Sequence, residues 1–209
     1  DAGTPCSVEH DGGTMRNNII VNCSDVGIYL NRSRDSHLLS NTLFSTSGID
    51  FRFDTTSGEA VGNLLTGLIR TRDGATMTMS GNLPNIGAAL FLSWYRAPLE
   101  GDLEPVGDVS SLIGIAPARP DVRDDYCAAL RPAGGLTVGA LEHSVTPTCD
   151  TRRPPIDPSA DPTGDGVLGG DAGNDGPPGS GGGCCQAPGR PDMLPLVAVL
   201  LLFVRRKRP

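Results

Sequence analysis

Aromatic residues are scarce in this chain: they make up 4% of it and include a single Trp. A conventional two-layer core leans on large rings, so the shortage favours an architecture that needs only stacked aliphatic side chains and small turn residues. Histidines are few as well. His10, His37 and His143 stand singly and no Cys-x-x-Cys occurs, so no zinc or other metal site and no cofactor is expected. Positive charge is also short. The net charge is −7, and four of the 17 basic residues crowd into the last five positions, so subtracting them leaves −11 for the rest. An acidic body argues against nucleic acid as a partner.

What is present is a repeat. The segments NNIIVNC, SNTLFST, GNLLTGL and GNLPNIG place Asn18, Asn41, Asn63 and Asn82 at intervals of 23, 22 and 19 residues. A period near 20 is too short for a helical pair and suits one turn of a solenoid of strands. The two positions after each Asn read Ile19-Ile20, Thr42-Leu43, Leu64-Leu65 and Leu83-Pro84, so their aliphatic side chains would stack as an inner column. The asparagines themselves would sit in turns and hydrogen-bond to their counterparts one coil away, about 4.8 Å off. A second column comes from VGIYL at 26–30, SGIDF at 47–51 and, more loosely, TGLIR at 66–70. There Ile28, Leu30, Ile49, Phe51 and Phe53 alternate with Tyr29, Asp50 and Arg52, which predicts one face inward and the other to water.

These coils resemble right-handed parallel β-helix proteins, the pectate-lyase-like group that includes many polysaccharide lyases and surface carbohydrate-active proteins. The resemblance covers roughly Met15 to Ser144. GNLLTGLIRTRDGATMTMSGNL (Gly62 to Leu83) looks like the last regular coils of such proteins. DDYCAALRPAGGLTVGALEH (Asp124 to His143) is similar to their closing motif, with Asp125, Tyr126, Arg131, Pro132, Gly139, Ala140 and Glu142 in the motif positions. The resemblance implies a scaffold and leaves the reaction open. The expected fold is therefore all-β: the last coils of a β-helix over 1–90, then an irregular closing segment over 91–145 that packs on the end or side of the solenoid. With no apolar leader at Asp1 and no cap before Asn17, the chain reads as the carboxyl-terminal part of a longer protein. Removing the pair Cys184 and Cys185 leaves Cys6, Cys23, Cys127 and Cys149, which allow three pairings; nearness in sequence favours Cys127 with Cys149 and Cys6 with Cys23.

Beyond the closing segment, residues 146–183 form a linker: from Thr151 to Gly183 there are 10 Gly, 6 Pro and 5 Asp in 33 residues, a composition that cannot offset its ordering entropy. Residues 184–209 combine Cys184-Cys185, an apolar run from Met193 to Val204 and the basic stop Arg205, Arg206, Lys207 and Arg208. Twelve residues make about 18 Å of helix against roughly 30 Å of hydrocarbon, short for a permanent span but suited to a transient signal whose basic end stays inside. This tail resembles the carboxyl-terminal sorting tags of myxobacterial and related deltaproteobacterial surface proteins, although Pro195 interrupts its apolar run. The resemblance implies a membrane sorting protease acting near Cys184 and Cys185, a cell-envelope membrane as partner, and final attachment at the cell surface or outer membrane.

Function is less legible. The charges Arg32, Arg34, Asp50, Arg52, Asp54, Arg70, Arg72 and Asp73 line up across coils, either as a ladder that binds an anionic polysaccharide or as a solvated sheet face of alternating sign. Trp94 and Tyr95 could stack on sugar rings or pack under the closing segment. No catalytic residue stands out. The absence of Lys between Asn17 and Asn85 counts against a lyase site, where a basic residue abstracts the proton beside a uronate carboxylate. The reading is a surface-anchored polysaccharide-binding protein; the alternative is the end of a secreted polysaccharide lyase or hydrolase with catalytic coils upstream.

Overall fold

A computed structural model describes residues 7–144 and 149–152. Cys6, the linker from 153 on, Cys184, Cys185, the apolar run Met193 to Val204 and the basic stop lie outside the described residues, and so do the expectations attached to them. The described part is a parallel β-solenoid of about three turns.

Twelve short strands build it: β1 (His10–Asp11), β2 (Thr14–Arg16), β3 (Ile19–Val21), β4 (Ile28–Asn31), β5 (Ser33–Arg34), β6 (Ser36–Leu39), β7 (Thr42–Phe44), β8 (Gly48–Arg52), β9 (Ser57–Val61), β10 (Leu64–Leu65), β11 (Leu68–Arg72) and β12 (Thr76–Ser80). They stack into three long parallel sheets, ordered β10-β7-β3, β11-β8-β4 and β12-β9-β6-β2, with β1 beside β5. Register follows the sequence repeat: Ile20 pairs with Leu43 and Leu43 with Leu65, while Ile28 pairs with Ile49 and Ile49 with Ile69.

The corners explain the repeat. Asn18, Asn41, Asn63 and Asn82 form a continuous ladder in which each side-chain carbonyl accepts both the backbone N–H and the amide of the Asn one coil earlier, at 2.8–3.0 Å. The remaining amide hydrogen of Asn41, Asn63 and Asn82 goes to the carbonyls of Met15, Leu38 and Ala60. Asn41 and Asn63 are completely buried and fully satisfied, as burial of an amide demands. The residue before each ladder Asn is left-handed: Asn17, Ser40, Gly62 and Gly81 have φ of 56°, 52°, 69° and 58°. Gly48 is another fixed point, since at φ 110° an added Cβ would lie 2.0 Å from the Leu68 carbonyl oxygen one coil on.

The shaft is filled by Ile28, Leu30, Leu38, Leu43, Ile49, Phe51, Ala60, Leu65 and Ala75, with Ile20, Ile69 and Met77 partly buried against them. Of the residues that follow the ladder asparagines, Ile20, Leu43 and Leu65, each the second after its Asn, point into it. Ile19, Leu64 and Leu83 turn outward, where with Val21 and Phe44 they meet Phe91, Trp94, Tyr95, Leu103, Leu112, Val138 and Leu141 of the closing segment. That segment holds α1 (Ala88–Trp94) and an antiparallel pair, β13 (Tyr95–Ala97) and β14 (Asp102–Pro105). It lies along the side of the solenoid, over the β10-β7-β3 sheet, and a smaller cluster of Ala116, Val122 and Leu136 covers Leu39 and Val61 at the next corner. Among the described residues β11 and β12 are end strands of their sheets, and Arg70 and Arg72 keep the first of these edges charged. Among the described residues no helix is long and apolar enough to cross a membrane.

Candidate functional site

The closing motif assembles as a buried clasp. Arg131 donates to the carbonyls of Asp124 (3.0 Å), Thr137 (3.1 Å) and Gly139 (2.9 Å) and to the Asn17 side-chain oxygen (3.2 Å), and lies 3.5 Å from Glu142 Oε2. Glu142 accepts from the Thr137 and Ser144 hydroxyls, at 2.5 and 2.7 Å, and from both backbone N–H groups. Burial alone would raise its carboxyl, but these bonds outweigh it and hold the group below the usual range. Asp125 caps the turn by accepting from the N–H groups of Cys127, Ala129 and Glu142. Gly139 and Ala140 then bond to the solenoid through the Gly62 carbonyl and the Thr42 hydroxyl. Every charge in the clasp is spent on closure. The Cys127–Cys149 disulfide staples it, as nearness in sequence suggested.

Trp94 belongs to the same interior. It is 5% exposed and packs with Phe91 and Tyr95, so it offers no platform to a sugar; a single tryptophan under a covering segment is needed for packing. Tyr95 bonds to His143 Nε2 at 2.9 Å, while His143 Nδ1 is buried with no partner among the described residues. Burial pushes this imidazole down to about 4 and the Tyr95 hydroxyl up. A folded value below the unfolded one, about 6.5, means that stability is complete above 6.5 and is lost as pH falls toward 4, by about 3 kcal/mol. The lowered carboxylates Glu142, Glu59 and Asp121 act only below their ordinary range, so the fall between pH 6.5 and 4.5 is assigned to His143. Urea unfolding at pH 7.5, 5.5 and 4.5 checks this. The decline should flatten in His143→Leu, and an equal decline in both proteins would refute the assignment.

The face of the β11-β8-β4 sheet that the closing segment leaves bare carries the remaining candidates. Its outward positions are Tyr29 on β4, Asp50 and Arg52 on β8, and Arg70 and Arg72 on β11, with Tyr29 beside Asp50 and Asp50 beside Arg70 in register. Asp50 was expected to face water; it does point away from the shaft, yet it is 0% exposed. Arg70 Nε and Arg72 Nη1 close over its two oxygens at 2.7 and 3.0 Å. Arg52 donates to Asp73 and, at 2.8 Å, to the Tyr29 hydroxyl, and the Asp73 bond holds its guanidinium above the ordinary range. A guanidinium has five N–H donors. Arg70 and Arg72 each spend one here, and their side chains remain 39% and 46% exposed.

Compared with known proteins, the chain matches no family model, no curated protein and no solved structure.

Phe53 departs most from expectation. Alternation with Ile49 and Phe51 predicts it in the shaft, but β8 ends at Arg52 and Phe53 turns out in the left-handed region, with φ 71°. Arg52 and Arg32 lie over its ring, their guanidinium carbons 4.7 and 5.7 Å from the centroid. Its register neighbours Arg32 and Asp73 are left-handed too, at 48° and 52°, so this corner turns the same way in every coil. One coil on, Asp73-Gly74 follows Arg72, the register partner of Arg52, and is the sequence signal that a turn, not a longer strand, comes at this point.

A second polar cluster joins the closing segment to the solenoid. Arg119 grips Glu59 through two nitrogens at 2.8 Å, and His37 Nδ1 lies 2.6 Å from the same carboxylate. Burial would raise the Glu59 carboxyl, but its bonds to His37 and Arg119 lower it. Among the described residues no group of three or more metal-ligating side chains converges.

Proposed function

We infer that this protein is a cell-surface β-helix module that binds an anionic polysaccharide through the bare β11-β8-β4 face. The observation that carries the reading is the pair Arg70 and Arg72 closed over one buried carboxylate, Asp50, with Arg52 beside them on the same face. Two guanidiniums on one carboxylate leave a surplus of positive charge and of unspent donors, on a body that is otherwise acidic. Such a patch suits repeated carboxylates or sulfates along a polymer that runs across the coils. The solenoid is read as right-handed, the hand that parallel strand connections adopt almost without exception. The tail supports surface attachment: Cys184 and Cys185 ahead of a short apolar run and RRKR suit a sorting signal that leaves the acidic body outside.

Titration calorimetry with a polyuronate and with a neutral glucan of similar length tests the reading. Binding should be confined to the polyuronate and should weaken as salt shortens the screening length. Arg72→Ala should lower affinity by about tenfold, the weight of one charge-assisted contact, because Arg70 still pairs with Asp50 and the face stays folded. Equal binding of both polymers would refute it.

A further inference from the structure

We propose that the corner formed by Tyr29, Arg32, Arg52 and Phe53 is the subsite that holds one acidic pyranose of that polymer, with Phe53 as the residue that positions its two guanidiniums. The proposal rests on the polysaccharide reading above and names where recognition is concentrated. It begins from a conformational outlier. A left-handed backbone is tolerated by Asp, Asn and Gly, but for a bulky ring it is a strained state that persists only where the surroundings enforce it. Asp73 fills the equivalent corner one coil on without that cost, so nothing in the turn itself calls for Phe.

What Phe53 gains there is contact with cations. Its ring carries Arg52 on one approach and Arg32 on another, at distances where the ring quadrupole attracts a guanidinium. Arg52 is further fixed by Asp73 and by the Tyr29 hydroxyl. Arg32 is held loosely, its one ionic neighbour among the described residues being Glu9 at 3.6 Å, and its side chain is 41% exposed. Tyr29 is 41% exposed beside them. The corner thus offers the exposed Tyr29 ring for the apolar face of a pyranose and, over the half-buried Phe53 ring, the Arg32 guanidinium for its acidic group. A carboxylate and a sulfate present the same chemistry to Arg32.

The test separates positioning from folding. Phe53→Gly relieves the left-handed strain, so its melting temperature should equal or exceed that of the native protein. Its affinity for a polyuronate should nevertheless fall by about tenfold, as two guanidiniums lose their support. Phe53→Tyr keeps the ring and should restore binding to within about twofold of native. A sulfated glycan of equal charge density, run in parallel, decides the acidic group: whichever polymer binds more tightly and loses more in Phe53→Gly is the preferred ligand class. Undiminished binding by Phe53→Gly, with Arg72→Ala still weakened, would overturn the corner and leave the broader reading standing. Absence of polyuronate and sulfated-glycan binding by the native protein would remove both.

Discussion

Asn63→Leu is expected to cost roughly 4 kcal/mol or more, because four side-chain hydrogen bonds vanish at a site where water cannot replace them. Asn63 is 0% exposed. Its amide donates to the Leu38 carbonyl at 2.8 Å and to Asn82 Oδ1 at 2.9 Å, while its own oxygen accepts the backbone N–H and the amide of Asn41. Leucine has nearly the same shape and strands each of those partners. Since a domain of this size is stable by only about 5–15 kcal/mol, the loss removes a large share of the total. In thermal melts it should appear as a drop of about 10 °C or more. Position along the ladder gives the control. Asn18 stands at the exposed end, where solvent can stand in for lost bonds, so Asn18→Leu should cost about 1 kcal/mol. Equal melting temperatures for the two variants would mean that the asparagines merely fill turns and that the ladder contributes nothing cooperative.

That ladder is readable in the sequence because its chemistry repeats locally: an Asn with an aliphatic residue in the next two positions, at a spacing near one coil, fixes register without knowledge of anything distant. The inner column was half readable. Ile20, Leu43 and Leu65 fill the shaft as anticipated, but Ile19, Leu64 and Leu83 face outward, and two apolar residues in a row cannot say which of them a covering segment will need. The third sheet was missed for the same reason. In SHLL, SGEAV and TMTMS the inward residues Leu38, Ala60 and Met77 are too mixed with neighbours to show alternation, and Leu39 and Val61 are buried from outside by Ala116 and Leu136.

The candidate site was less legible than the scaffold. Of the charges expected to line up across coils, Asp50, Arg52, Arg70 and Arg72 share one outward face, while Arg32 lies at a corner and Arg34 on β5 beside Asp11, and this mutual geometry is not written in the repeat. Composition says nothing of what lies above a ring, so it leaves Trp94 open between a sugar platform and packing under the closing segment, and burial decides for packing. Phe53 looked like core because alternation was carried one residue past the end of β8. In each case the deciding fact is tertiary, and it buries Trp94 while leaving Tyr29 exposed and turning Phe53 out of the shaft.

Arg131→Met should destabilise the fold about as much as any single change in the closing segment. The guanidinium is the hub of the clasp: its side chain is 1% exposed, and it ties the closing turn to Asn17 at the far end of the sequence. Burial lowers its affinity for the proton, which the negative charges of Glu142, Asp125 and Asp124 oppose. Methionine fills much of the space but removes the cation, leaving Glu142 fully buried without its counter-charge and three carbonyls without a donor. Breaking one partner of a buried pair costs about 3–5 kcal/mol. Glu142→Gln should cost less. The amide keeps the shape and still accepts from Thr137, and the guanidinium that it leaves without a counter-charge keeps its three carbonyl acceptors, so its loss is expected to be about 1–2 kcal/mol. The double variant is the decisive member of the cycle. With both charges gone, nothing ionic is stranded, and Arg131→Met with Glu142→Gln should be less destabilised than the sum of the two single changes by about 1 kcal/mol or more. Denaturant titration of the four proteins with the Cys127–Cys149 bond intact measures this directly. Strict additivity would mean that Arg131 works through its carbonyl contacts alone, and that Glu142 is held by Thr137 and Ser144 without help from the cation.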